Sequence, residues 1–377
     1  MLVSEPVARA LKDMGYVDPT PIQTQAIPFM LQGRDVVGKA QTGTGKTTAF
    51  GLPMVEMLDP AARYIQGIVL VPTRELAVQV TGELQKLCRY RGIKVVTLYG
   101  GQPIIKQFAA LKVGAHIIVA TPGRLLDHVS RGTIHLDRVR IAILDEADQM
   151  LDIGFADDMV RILRLTPADR QTALFSATIP PFIKMMINRF QRNPQIIQIG
   201  GESEAADTIQ QLYYEVAASD KLNGLVEVLN TKLRDGKVLI FCRTKSGVDR
   251  LVMNLQRRGL KAAGIHGDLR QSQRDAVMKA FREGTLLTLV ATNVAARGLD
   301  IPEVSHVVNY DMPQVLDEYV HRIGRTGRIG RAGVAISFIS EGDFEILDAL
   351  KAHLGAELQK ERLGLYQQRP STRVAAT

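Results

Sequence analysis

A succession of short apolar runs, separated by helix-length stretches, constrains this chain more than any other feature. In the first half the runs cover 35–38, 67–71, 94–99, 116–120, 140–144, 172–175 and 195–199. In the second they cover 211–216, 237–241, 261–265, 287–290, 306–309 and 334–338. Most are continuous rather than alternating, as in strands buried on both faces of a parallel sheet. Helices between such strands imply βαβ units with right-handed crossovers. The expected fold class is α/β, with mostly parallel sheets flanked by helices. A chain of 377 residues exceeds one ordinary core, so two domains are expected.

The boundary is expected in "GGESEAADTIQ", residues 200–210, which is polar, opens on Gly-Gly and has no periodic face. The domains then span 1–203 and 211–355, with 204–210 as linker. From Ala356 the chain reads as a fraying helix and a loose tail, 356–377. The similar strand number of the two halves suggests related domains.

Hydrophobic residues at 46% and charged residues at 23% exclude a disordered chain. The net charge of +8 suits a polyanionic partner such as nucleic acid. Trp is absent and aromatics reach only 5%, which argues against binding by serial base stacking. Cys88 and Cys242 stand alone, without CxxC spacing, and read as core thiols of a reduced, cytoplasmic protein. No apolar run approaches the ~18 residues of a membrane span. The opening "MLVSEPVARALKDMGY" lacks a signal-peptide core and reads as an amphipathic helix.

The run 140–144 ends in "DEAD", Asp145 to Asp148. Three carboxylates at the end of a buried strand repel one another and need a positive partner. "GKAQTGTGKTTAFGLP" supplies one. It follows a strand, precedes a helix and carries Gly45-Lys46-Thr47, the phosphate-loop pattern in its required context. Gly43 and Gly45 let backbone N–H groups turn toward phosphate oxygens, and the helix adds its positive end. Lys46 would reach the β and γ phosphates, and the Thr47 hydroxyl would ligate Mg²⁺. Gln41, Thr42, Thr44 and Thr48 complete the loop. Asp145 would hold Mg²⁺, and Glu146 would orient or deprotonate water. Asp148 would pair with another protein element. The bland alternatives are a Gly-rich turn and a solvated acidic strand end.

In the second half, "HRIGRTGRIGRAG" spaces Arg322, Arg325, Arg328 and Arg331 with glycines. Arg325 and Arg328 would share one side of a helical turn and suit a triphosphate. A basic nucleic-acid patch is the other reading. If the pair serves ATP, hydrolysis requires domain closure.

Taken together these motifs resemble the DEAD-box family of ATP-dependent RNA helicases, in helicase superfamily two. "GYVDPTPIQ" looks like the Q motif, "AQTGTGKT" motif I, "DEAD" motif II and "SAT" (176–178) motif III. "PTREL" (72–76), "GG" (100–101) and "TPGR" (121–124) look like the first domain's RNA-backbone motifs. "LIFCRT" (239–244), "QSQR" (271–274), "ATNVAARGLD" (291–300) and "HRIGRTGR" (321–328) resemble those of the second. The resemblance implies two tandem RecA-like domains with ATP between them. It assigns adenine to Gln23, ribose to Asp300, catalysis to Lys46, Asp145 and Glu146, and arginine fingers to Arg325 and Arg328. Asp148, Ser176, Thr178 and His321 would couple hydrolysis to strand separation. RNA contacts would come from Pro72, Thr73, Arg74, Gly100, Gly101, Thr121, Pro122, Gly123, Arg124, Arg243, Gln271, Arg274 and Thr292. Such loop residues bind phosphate and sugar rather than reading bases.

Two departures stand out. Position 293 is Asn where motif V usually has Asp, and no aromatic precedes the Q motif to stack on adenine. Either the chain is a core cut short or ATP affinity rests on Gln23 and the phosphate loop. The implied activity is RNA-stimulated ATP hydrolysis with local, non-processive unwinding by a cytoplasmic monomer. It would act on single-stranded and duplex RNA through the backbone, with no membrane, and with protein partners in ribonucleoprotein assembly. An ATP-gated RNA clamp and a DNA-directed helicase are the alternatives. A metabolic phosphate-loop kinase would leave the second Arg set without a purpose.

Overall fold

The structure is a computed structural model, and it describes residues 3–40, 44–199, 209–233, 236–296, 304–327 and 333–364. The chain separates into two compact units, residues 1–200 and 201–377. In the first unit the strands are β1 (Val36–Lys39), β2 (Gly67–Leu70), β3 (Val95–Leu98), β4 (Ile117–Ala120), β5 (Ile141–Asp145), β6 (Gln171–Ser176) and β7 (Gln195–Gln198). They form one sheet in the order β3-β4-β2-β5-β6-β1-β7. The second unit holds β8 (Ile209–Glu215), β9 (Lys237–Cys242), β10 (Ala262–Ile265), β11 (Thr288–Thr292), β12 (Val304–Asn309), β13 (Gly333–Ile339) and β14 (Leu358–Glu361). Their order is β10-β11-β9-β12-β13-β8-β14. Every pairing in both sheets is parallel. Raising each strand number of the first order by seven gives the second, so the units share one topology.

The α/β expectation is borne out, and the residues show why. Along β5, Ile141 and Ile143 enter one core layer while Ala142 and Leu144 enter the other. Val238 and Ile240 face one layer of the second unit, Leu239 and Phe241 the opposite one. Both faces are covered by helices, so neither presents a polar surface to a ligand. Each buried aliphatic side chain contributes about 1.5–3 kcal/mol. Ligands are left with the crevice beyond the carboxyl ends of the strands. Those ends are level: Leu70 and Leu98 both align with Ala120, and Lys39 aligns with Ser176.

Two expectations need correction. Ile209 and Gln210, assigned to the linker, belong to β8, where Ile209 is buried beside β13. The tail expected from Ala356 contains β14, which pairs with β8 through Leu358–Glu361. "LQKE" has one apolar residue, so its strand character comes from the neighbouring edge rather than from its own pattern. Leu363, just beyond, is buried in the core of the second unit. Residues 365–377 lie outside the described residues.

Both cysteines are buried in apolar surroundings. Burial pushes the Cys88 thiol up to about 12 and raises that of Cys242 as well. Thiolate is the reactive form. Ellman's reagent is therefore expected to find neither thiol in the native protein and both after denaturation. A fast-reacting native thiol would contradict the packing. Among the described residues no helix is long and apolar enough to cross a membrane.

Candidate functional site

In the first sheet β5, β6 and β1 are neighbours, and their carboxyl ends carry DEAD, SAT and the phosphate loop. Gln41, Thr42 and Gly43 lie outside the described residues. Gly45 caps the helix Lys46–Met57 with φ +91°, a left-handed turn that a side chain resists. A Cβ there would also meet the Gln23 amide at 2.6 Å and the Thr20 hydroxyl at 2.8 Å. The Q-motif segment is thus pressed onto the loop. Gln23 Nε2 donates to the Gly45 carbonyl at 3.1 Å, and Thr20 Oγ1 donates to that of Thr44 at 2.8 Å. Tyr16 and Thr48 join through their hydroxyls at 2.5 Å. Gln23, expected at adenine, and Thr48, expected at phosphate, here tie the Q motif to the loop and its helix. Thr20 and Tyr16 were missed, although both stand within the quoted "GYVDPTPIQ".

Lys46 Nζ lies between the Ala40 carbonyl, to which it donates at 3.1 Å, and Asp145 Oδ1 at 4.0 Å. Burial raises the Asp145 carboxyl above the usual carboxylate range, against the pull of Lys46, and the Asp148 charge adds to the rise. The lysine is the positive partner that the strand-end carboxylates required. Glu146, buried beside it, has φ 54° and ψ 51°. Left-handed backbone costs a non-glycine residue about 1–3 kcal/mol and clusters at functional positions.

Asp148 has its expected protein partner. Its Oδ2 accepts from the Ala177 and Thr178 amides at 3.2 and 2.9 Å, and from Thr178 Oγ1 at 3.0 Å. Its own amide donates to Ser176 Oγ at 3.1 Å. Motifs II and III are therefore one hydrogen-bonded piece. Asp148→Ala leaves these donors without their acceptor, a loss of about 2 kcal/mol. Thermal unfolding should show a fall of roughly 4–8 °C in the melting of this unit. An unchanged melt would mean that these bonds contribute nothing net.

Three strands on the far side of β5, namely β3, β4 and β2, carry the remaining motifs. Thr73 caps the helix Arg74–Leu87, its Oγ1 accepting from the Leu76 amide at 3.3 Å. Gly101 has φ +78°, a left-handed backbone that favours glycine, and it packs against the Arg74 guanidinium, 2.2 Å from where a Cβ would lie. Thr121 caps the helix Pro122–Ser130, which starts on Pro122 and Gly123. Arg124 donates twice to the Gln102 carbonyl, at 3.2 Å each. Three loops thus interlock at the carboxyl end of the sheet.

The second unit repeats the arrangement. Arg243 follows β9, Gln271 and Arg274 open the helix Gln271–Arg282 after β10, and Thr292 ends β11. These are the counterparts of β2, β3 and β4. The Arg243 amide donates to Asp311 Oδ2 at 2.9 Å, and its guanidinium lies 3.9 Å from Asp343. Thr292 Oγ1 accepts from the Ala295 amide at 3.4 Å. His321 stands on the helix Leu316–Ile323 after β12. Arg325 is buried, but the helix expected to carry it ends at Ile323. Gly324 closes that helix, so Arg325 sits on the following turn. Asp300 and Arg328 lie outside the described residues. No cluster of three or more His, Cys, Asp or Glu among the described residues could hold a metal.

Residues 20–186 match the DEAD/DEAH box helicase family model, and residues 220–330 match that of the helicase conserved C-terminal domain. The DEAD-box ATP-dependent RNA helicase CshA of Bacillus licheniformis is 48% identical over 349 residues, 93% of this chain and 72% of that protein. The chain belongs to the DEAD-box ATP-dependent RNA helicases. CshA of Bacillus subtilis (strain 168) is 47% identical over the same length, covering 93% of this chain and 70% of its own. S. cerevisiae Dbp5 bound to RNA and ADP BeF3 matches with a TM-score of 0.85 at 34% identity, covering 97% of this chain and 95% of that one. The two sheets are accordingly tandem RecA-like domains, and the enzyme is an ATP-hydrolysing RNA helicase. For this DEAD-box chain the Ala40 and Asn293 positions need no new fold. Ala40 offers its carbonyl to Lys46, and Asn293 begins the short helix Asn293–Ala296.

Proposed function

We propose that this DEAD-box protein couples RNA-stimulated ATP hydrolysis to closure of its two units and to local, non-processive strand separation. One observation carries the reading. The first sheet sorts its motifs into adjacent sets, nucleotide motifs on β5-β6-β1 and backbone-binding motifs on β3-β4-β2. The second sheet repeats the latter set on β10-β11-β9. A single RNA strand running over both sets would meet Thr, Gly and Arg side chains suited to sugar and phosphate.

In this reading Gln41 to Thr48 cradle the phosphates, Gln23 selects adenine and Asp300 takes the ribose. The hard oxygens of Thr47 and buried Asp145 fit Mg²⁺, which would neutralise charge on the phosphates. Glu146 orients the attacking water and receives its proton. Arg325 and Arg328 stabilise charge on the transferring phosphoryl group. Asp148 transmits changes at motif II into the loop of Ser176 and Thr178, with His321 as their counterpart in the other unit. Pro72, Thr73, Arg74, Gly100, Gly101, Thr121, Pro122, Gly123 and Arg124 grip RNA on the first unit. Arg243, Gln271, Arg274 and Thr292 grip it on the second. The protein works as a cytoplasmic monomer with partners in ribonucleoprotein assembly.

The test is ATP turnover without nucleic acid, with single-stranded RNA and with DNA of the same sequence. Stimulation by RNA alone supports the reading, and equal stimulation by DNA overturns it. RNA affinity should fall steeply with salt and vary little with base sequence. RNA dissociation slower than any unwinding would favour an ATP-gated clamp instead.

A further inference from the structure

The loop carrying Gly100 and Gly101 is held at both ends, and the holders are largely residues without a backbone-binding motif. At its far end the Gln102 carbonyl accepts from both terminal nitrogens of Arg124. At its near end the Tyr99 carbonyl accepts from Gln107 Nε2 at 2.9 Å. Gln102 Nε2 reaches back to the Tyr99 hydroxyl at 2.5 Å. Gln107 stands on the helix Ile104–Lys112, and its Oε1 lies 3.0 Å from His128 Nε2. His128 stands on the same helix as Arg124, one turn further on. The circuit therefore closes: Arg124 to Gln102, across the glycines to Tyr99, to Gln107, to His128, and down one helical turn to Arg124.

The chemistry of the circuit is determined by its atoms. Gln107 uses its amide nitrogen on Tyr99, so its oxygen faces His128, and the imidazole must carry hydrogen on Nε2. Nδ1 is 2.9 Å from Thr133 Oγ1, and the ring meets Phe108 edge-on at 5.4 Å. His128 is fully buried and Gln107 nearly so. Burial, with the Arg124 charge nearby, holds the imidazole below its ordinary value. A polar pair buried this deeply is costly unless every member is satisfied, and a satisfied network fixes geometry. Neither residue reaches the loop surface. Their effect passes through the backbone carbonyl of Tyr99.

We propose that His128, acting through Gln107, is a positioning residue for RNA binding: it holds the Gly100–Gly101 loop in the shape that accepts the sugar-phosphate backbone. This rests on the reading of that face as the RNA grip. It adds to that reading a residue which touches neither RNA nor ATP.

The experiment titrates single-stranded RNA into the ATPase assay of the full chain, with ATP affinity measured separately by a fluorescent nucleotide. His128→Phe removes the donor. It should raise half-saturating RNA at least fivefold, with turnover at saturating RNA and ATP affinity within twofold of the parent. His128→Gln places an amide nitrogen near the old Nε2 and should restore RNA affinity to within twofold. Gln107→Glu keeps the acceptor for His128 but turns an oxygen toward the Tyr99 carbonyl. It should reproduce the His128→Phe defect, and it serves as the test if that variant fails to fold. Unchanged RNA dependence in both variants overturns the proposal, as does a parallel loss of turnover or ATP affinity. Arg74→Ala separates the two levels. If it weakens RNA binding while the His128 and Gln107 variants do not, only the positioning role falls. If all three leave RNA binding intact, the reading of the face falls and takes the proposal with it.

Discussion

Glu146→Gln is expected to bind ATP and RNA normally and to hydrolyse ATP about 10²–10⁴ times more slowly, the range of a lost general base. The substitution keeps volume and hydrogen-bonding reach and removes only the ability to take a proton. The backbone at this residue is left-handed, at φ 54° and ψ 51°. It is kept so by buried β5 on one side and by the helix Ala147–Ile153 on the other. Gln adds no strain to what Glu already bears there, so the fold should survive and the defect should be chemical. With water activation gone, the ATP-bound state persists, and RNA captured in that state should dissociate slowly. Rapid-quench ATP hydrolysis and RNA retention in a filter assay check both halves. Undiminished turnover would remove Glu146 from its role and leave Asp145 with Lys46 as the whole of the chemistry in this unit.

The parts of the structure legible in the sequence are those where one residue type serves both pattern and packing. The inner strands of both sheets were readable because Ile, Val and Leu fill both faces. β14 was not, because "LQKE" is an edge strand with one apolar side, held by ion pairs of Lys360 with Glu215 and of Glu361 with Lys232. The shared strand order reveals it, since β14 is the counterpart of β7. Asp148 was readable as a protein partner from its place two residues beyond Glu146. Its particular donors, the Ala177 and Thr178 amides, depend on β6 lying beside β5 and could not be read. The Gln107–His128 pair had no sequence signal at all. A buried histidine and glutamine on separate helices look like ordinary polar residues until the fold brings them to 3.0 Å. The helical reading of Arg325 failed at Gly324, where the chain leaves the helix before the arginine.

Arg325→Ala is expected to lower ATP turnover by about 10³–10⁵, the range of an arginine finger, while RNA binding changes by no more than a few-fold. The contrast with Arg322 supports the choice. Arg322 gives Nη1 to Asn309 Oδ1 and the Asp311 carbonyl, and Nη2 to Glu318 Oε1 at 2.6 Å. It also lies 5.0 Å from the centre of the Phe241 ring. That guanidinium is buried and structural, and removing it leaves the buried Asn309 amide oxygen and the half-buried Glu318 carboxylate without their donor, at a cost of about 1–3 kcal/mol. Arg322→Ala should therefore destabilise the second unit rather than slow chemistry selectively. Arg325 differs in its backbone setting. Its amide bonds to the Arg322 carbonyl at 3.1 Å, and the next residue, Thr326, anchors the turn through Oγ1 to the Ser305 carbonyl at 2.9 Å. The turn is thus fixed to β12 through the Thr326 hydroxyl. Arg325→Lys keeps the charge but loses the planar fork that matches phosphate oxygens, so it should recover only part of the turnover. Full activity in Arg325→Lys would mean that charge alone matters. A loss of RNA binding with unchanged turnover per bound RNA would move Arg325 from the phosphate to the RNA face and leave the triphosphate role to another cation.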